Sequence, residues 1–178
     1  MPRPSSLFLA ALVALLLSGC AVPLTSSPAP STSEAPMPAG TAVAISRSAC
    51  YGLCPVYEAS VTAEGAVTFN GIAHVAHVGL AQSTIEPASV RRLIDASQDA
   101  GFFALPDSIG ADRSDPAGLC ADLMTDQPTV ELEVFTEGAS KRVVHYLGCE
   151  GFEGEASLSA LEGLVDDVLG VRQWISGE

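Results

Sequence analysis

The eight residues Cys50-Tyr51-Gly52-Leu53-Cys54-Pro55-Val56-Tyr57 constrain this chain more than any others, because two cysteines, a glycine and a proline fall together directly ahead of a strand-like run. Cysteines four apart in a turn bring their Cα atoms within the roughly 4.4–6.8 Å that a disulfide tolerates. Two further cysteines, Cys120 and Cys149, lie downstream. Four cysteines permit three pairings. If Cys50 closes on Cys54, Cys120 is left to pair with Cys149, which fastens a long polar loop to the end of a hairpin. In the loop-entropy account, a ring of roughly five residues is worth about 2 kcal/mol and one of roughly thirty about 3.6, less any strain.

Whether those thiols meet an oxidant depends on where the chain goes. Arg3 precedes an apolar run from Leu7 to Leu17 that closes on Leu17-Ser18-Gly19-Cys20. The run is shorter than the roughly 20 apolar residues of a membrane span. A positive start, a short apolar stretch and a small-residue close read as a signal peptide over residues 1–19. The four closing residues resemble those of bacterial lipoprotein precursors. That resemblance implies cleavage after Gly19, a diacylglyceryl thioether on Cys20 and a further acyl chain, such as palmitate, on the new amine. Two or three acyl chains anchor stably where one does not. Ala21, rather than Asp, implies sorting to the outer membrane in a Gram-negative envelope, with the protein facing the periplasm. The plainer alternative is an ordinary signal peptide that happens to hold a cysteine. On either reading the chain leaves the cytoplasm, and an even number of remaining cysteines in an oxidising compartment favours two structural disulfides.

Residues 20–40 hold Pro23, Pro28, Pro30, Pro36 and Pro38 among Ser, Thr and Ala. Such a composition buries no core and is expected to form an extended tether of about 60 Å, at about 3.1 Å per residue. Residues 41–178 suit one domain with one hydrophobic core. Loss of residues 1–19 removes Arg3 and no acidic residue, so the formal charge moves from −13 to −14. That balance argues against nucleic acid and against direct adhesion to anionic lipid. Membrane contact is expected through the lipid anchor.

Along the domain, Ala42–Ile45 suggests a first strand that ends at Arg47. Val56–Thr62 and Ala66–Asn70 alternate apolar and polar residues about a Gly65 turn, the pattern of a hairpin. His74–Val78 and Gln82–Ile85 extend the same sheet. Pro87 then opens a helix whose apolar residues Val90, Leu93 and Ile94 recur at helical spacing as far as Ala100, with Gly101 as its stop. Phe102, Phe103 and Leu105 read as core. Pro106–Gln127 reads as a long loop unless Cys120 ties it down. Val130–Phe135 and Arg142–Leu147 form a second hairpin about Glu137-Gly138. A second helix carries Leu158, Leu161, Leu164, Val165 and Val168, with Ser159 and Glu162 spaced as a capping box and Gly170 as its stop. Trp174 is expected to pack back on the core. The order β-β-β-(β)-α-β-β-α predicts an α+β fold, an antiparallel sheet packed on one face by two helices.

Tetrathiolate zinc sites use two close cysteine pairs, and Cys120 and Cys149 are not close. A redox dithiol favours a Cys-x-x-Cys frame at a helix N-terminus, whereas Cys50 and Cys54 are separated by three residues and precede a strand. His74 and His77 fall on opposite faces of a strand-like stretch. His145 reads as a surface or partly buried strand position. Asp112, Asp115, Asp122 and Asp126 lack the spacing of a calcium loop and read as a solvated acidic loop. No nucleophile elbow, phosphate-cradling glycine loop or His-Glu-x-x-His stretch is present. No catalytic residue, metal ligand or cofactor is assigned.

The Cys50–Tyr57 stretch, the Gly65 turn with Phe69-Asn70-Gly71, the Thr125-Asp126-Gln127-Pro128-Thr129 segment and the terminal helix leading to Trp174 together resemble a bacterial domain family of unknown function. Its members are mostly exported proteins and lipoproteins. The resemblance spans roughly Ala42–Trp174 and implies the domain limits and the α+β fold, without an activity. Three function classes follow. The favoured one is a membrane-anchored, non-enzymatic envelope module that binds a partner protein, a cell-wall component or a small ligand. The others are a thiol-disulfide or metal-handling protein using Cys50 and Cys54, and an enzyme with an unrecognised site.

Overall fold

A computed structural model describes residues 40–110, 115 and 117–177. Residues 1–39, on which the expectations of a signal peptide, a lipidated Cys20 and a tether fall, and Asp112 lie outside the described residues. In chain order the elements are β1 (Thr41–Arg47), β2 (Val56–Thr62), β3 (Ala66–Ala73), β4 (Gly79–Thr84), α1 (Pro87–Asp99), a 3₁₀ turn (Phe102–Ala104), β5 (Ser108–Ile109), β6 (Asp122–Leu123), β7 (Thr129–Phe135), β8 (Ser140–Tyr146), β9 (Cys149–Glu150), α2 (Glu155–Leu169) and α3 (Arg172–Ile175). Seven strands form one sheet in the order β4-β3-β2-β1-β7-β8-β5, and β6 pairs with β9 apart from it. All its pairings are antiparallel except that of the two-residue β5 with β8.

Period-two alternation explains the layering. Val43, Ile45, Tyr57, Val61, Phe69 and Leu132 are buried on one face. The polar residues between them, such as Ser46, Glu58, Thr68 and Glu131, stay wholly or partly exposed on the other. A half-solvated antiparallel sheet needs this pattern. The helices bring Val90 and Leu93 of α1, and Leu158, Leu161 and Val165 of α2, into the same core. Trp174 stacks on Phe69 with ring centroids 4.9 Å apart, so the last helical turn packs on the sheet. The fold is thus α+β, with an antiparallel-dominated sheet.

Several local expectations are corrected. His74–Val78 is not a strand; the chain leaves β3 at Ala73 and bends back before β4. Gly71 permits this close return, since a Cβ there would sit 2.0 Å from the His77 carbonyl oxygen. The bend is then held by the C-terminal turn, where Ala76 N–H donates to Ile175 O at 3.0 Å and His77 N–H to Trp174 O at 2.9 Å. The long loop contains β5 and β6. Helix α2 begins at Glu155, one turn earlier than the apolar pattern suggests, so Ser159 lies inside it and caps nothing. Its start is tied instead by Glu155, whose Oε2 accepts from Gly151 N–H at 2.7 Å.

Candidate functional site

Because β1 ends where β2 begins, and both pair antiparallel with their neighbours, one end of the sheet collects the loops after β1 and β3 and those before β7 and after β8. Two distant motifs meet there. Cys50 and Cys54 form a disulfide with Cα atoms 5.7 Å apart, closing a turn around Tyr51, Gly52 and Leu53. The Thr125–Thr129 segment lies against it. Tyr51 N–H donates to Asp126 O at 3.0 Å, and Ser48 and Thr129 exchange two bonds, Ser48 N–H to Thr129 O at 2.9 Å and Thr129 N–H to Ser48 Oγ at 2.8 Å. Asp126 adopts a left-handed φ of 69°, a conformation that Asp tolerates better than most residues. Buried Tyr146 supports the segment from below by donating to Met124 O at 2.8 Å and accepting from Gln127 N–H at 3.3 Å.

The last residue of the cysteine motif, Tyr57, fixes the turn to the helix layer. Its hydroxyl donates to Asp166 Oδ1 at 2.7 Å. Arg47, at the end of β1, donates from Nε to Tyr57 Oη at 3.0 Å and from Nε and Nη2 to Asp166 Oδ2 at 2.9 and 2.6 Å. Burial pushes the Tyr57 hydroxyl well up, and the Asp166 carboxylate adds to this, while the Arg47 charge opposes it. Burial alone works against the Arg47 charge, but the carboxylate and the phenol outweigh it and raise its pKa. A phenol held protonated between a carboxylate and a guanidinium is a tie between layers, with its hydroxyl spent on internal bonds.

What remains free is the tip. Tyr51 is 90% exposed and Leu53 82% exposed, against the 1% of Tyr57. Leu123 and Met124, on the adjoining segment, are also among the exposed large apolar residues. Asp126, bound by the tip through its carbonyl, is exposed, as are Asp122 and Glu150, which pair across β6 and β9. The site is therefore a disulfide-closed apolar tip with the acidic Asp126 beside it.

Cys120 and Cys149 form the second disulfide, with Cα atoms 5.1 Å apart, and join the loop to β9. The Asp115 carboxylate accepts from Leu119 and Cys120 N–H at 2.9 and 2.8 Å, which orders the chain into that bridge. Of the clustered aspartates, Asp115 is thus spent on backbone amides. Among the described residues no three His, Cys, Asp or Glu side chains gather as metal ligands. His74 and His77 sit in the bend, where the His77 ring Nε2 meets Leu80 O at 3.1 Å. His145 is buried, contrary to expectation, with Nδ1 2.9 Å from Glu162 Oε1 and its ring edge-on to Phe152. The sequence hid this pair because Glu162 imitates a capping residue. Periodicity held the clue, since Glu162 adjoins Leu161 on the inward stripe of α2.

Residues 41–169 match the family model described as a domain of unknown function, DUF6438. The match covers both motifs of the loop end and stops ahead of Trp174. No curated protein matches the chain.

Proposed function

The chain belongs to this domain family of unknown function, and on that premise we propose that it is a lipid-tethered protein of the bacterial envelope whose disulfide-closed turn docks, without catalysis, on a protein partner. The observation that carries the reading is the exposure of Tyr51 and Leu53 on a turn held at both ends. Large apolar side chains on a preordered turn lose little entropy on docking, and aromatic anchors supply much of the energy of interfaces. Exposed Asp126, whose carbonyl the Tyr51 amide binds, favours an apolar pocket flanked by cationic groups. Thr41 opens β1 at the end of that strand opposite the turn.

The anchor is tested by labelling with radioactive palmitate, which wild type should incorporate and Cys20→Ser should not. The docking is tested with a photocrosslinking residue placed at Leu53 or, as a control, at exposed Glu137 in the far hairpin turn. A discrete adduct from position 53, absent from 137 and lost on Tyr51→Asp, is expected. Equal adducts from both positions overturn the docking site, whatever the palmitate result.

A further inference from the structure

The two edges of the main sheet are treated differently. Beyond β8, the short β5 pairs with Val144 and His145, Asp107 O accepts from Val144 N–H at 2.9 Å, and Lys141 binds the Asp107 carboxylate at 2.5 Å. That edge is covered at Val144 and His145, and ahead of them it carries Lys141 and Arg142, the charged side chains with which sheets discourage pairing. At the other edge, β4 reads Gly79-Leu80-Ala81-Gln82-Ser83-Thr84, six residues without charge or proline, in a chain whose formal charge is −13.

The hydrogen-bond register shows which groups this edge offers. Ile85 N–H donates to Gly65 O, and the β3–β4 pairing runs Val67↔Ser83, Thr68↔Gln82, Phe69↔Ala81. Antiparallel ladders alternate bonded and non-bonded pairs. Ser83 and Ala81 therefore turn their backbone groups toward β3, while Leu80, Gln82 and Thr84 turn theirs outward. The contact of His77 Nε2 with Leu80 O leaves that carbonyl a second lone pair.

From this asymmetry we propose that the β4 edge pairs with the β4 edge of a second copy of the chain, antiparallel about a two-fold axis at Gln82, making one sheet continuous through both protomers. The occupant follows from symmetry and charge. Leu80, Gln82 and Thr84 form a self-complementary strip, with Leu80 facing Thr84 of the partner subunit and Gln82 on the axis, as an isologous interface requires. Elsewhere two acidic chains repel one another, and this strip lets them approach without opposed charges. The proposal is independent of the docking tip, which lies on loops and not on this edge.

The test uses the full chain. Bonded antiparallel partners have Cα atoms about 5.5 Å apart, within disulfide range. Gln82→Cys should therefore give a disulfide-linked homodimer on mild oxidation of intact envelopes, at least tenfold more abundant than that of Thr68→Cys, which lies on the neighbouring strand. In mild detergent, wild type should show twice the protein mass of Gln82→Lys by light scattering, with Gln82→Lys retaining the wild-type circular dichroism spectrum. A Gln82→Cys dimer no more abundant than the Thr68→Cys control, a monomeric wild type, or an unchanged mass for Gln82→Lys overturns the proposal. Crosslinking from position 82 to a different protein overturns the second copy as occupant.

Discussion

The Tyr57 hydroxyl donates to Asp166 Oδ1 at 2.7 Å across 109 residues of sequence, and this bond joins the cysteine motif to the last turns of α2. The tyrosine at the end of Cys50–Tyr57 is therefore spent on architecture. It holds the strand that follows the exposed turn, so the tip stands on a rigid base.

The tie has an alkaline signature. Because the folded pKa of Tyr57 lies above its ordinary 10.0, the native state keeps a proton that the unfolded chain loses. Its contribution is fully present below pH 10 and falls as pH rises toward the folded value. Denaturant midpoints should decline above pH 10 in wild type, and the part of that slope due to this residue should vanish in Tyr57→Phe. Below pH 9, Tyr57→Phe should cost about 1.5–3 kcal/mol, the range for hydrogen bonds to charged groups. An alkaline slope unchanged by the substitution would show that Tyr57 does not carry it.

Alternation made the two hairpins legible, since Tyr57, Ala59 and Val61 face the core opposite Glu58 and Ser60 as a half-buried sheet demands. Local signals stopped serving where a partner was remote. Arg47 and Asp166 are 119 residues apart, and nothing near either residue announces the other. The β5 pairing leaves no sequence signature, because two residues are too few to show a period. The bend after β3 is hidden in the sequence because His74, Val75, His77 and Val78 imitate strand composition, while the decisive contact involves the absent side chain of Gly71. At the tip, sequence pointed to the cysteines but not to Tyr51 and Leu53, whose exposure depends on the backbone course of the turn.

Gly71 offers a direct check on that bend. A Cβ there would meet the His77 carbonyl at 2.0 Å and Val75 Cγ2 at 2.8 Å. Backbone yields less readily than a side-chain end, so Gly71→Ala should cost about 1–3 kcal/mol, as overpacking does. Amide exchange should quicken at Ala76 and His77, which lose their bonds to α3. Unchanged exchange there would mean that the bend does not depend on the glycine.

The buried pair between β8 and α2 predicts a difference between two substitutions. Glu162→Gln keeps a group able to bond His145 Nδ1, whereas Glu162→Ala leaves the buried imidazole without its partner. The alanine variant should lose about 1–3 kcal/mol and the glutamine variant less. Equal losses would mean that the pair adds nothing beyond packing.

The two disulfides should separate by ring size. Non-reduced peptide mapping is expected to show Cys50 linked to Cys54 and Cys120 linked to Cys149. Replacing Cys120 and Cys149 together by alanine should cost about 3–4 kcal/mol, and replacing Cys50 and Cys54 about 2, because the larger ring restricts the unfolded chain more. A reduction potential well above about −300 mV for the small ring would favour the thiol-disulfide reading instead. One bound zinc per chain would exclude both linkages, since thiolates that hold a metal are not in disulfides.

Docking through the tip requires that Tyr51 and Leu53 contribute to binding and not to folding. Tyr51→Asp and Leu53→Asp remove exposed side chains and leave the Tyr51 backbone bond to Asp126 in place, so stability should move by no more than about 0.5 kcal/mol. Adducts from a photocrosslinking residue at position 53 should nevertheless disappear in Tyr51→Asp, and Leu53→Asp should fail to compete with wild type for capture, because a buried carboxylate is costly in an apolar pocket. The Asp126 carboxylate makes the converse prediction, that Asp126→Asn weakens capture at low salt and has less effect at high salt, where its field is screened. If the aspartate variants unfold the chain, the tip belongs to the core. If they fold and still crosslink as wild type does, the partner binds elsewhere.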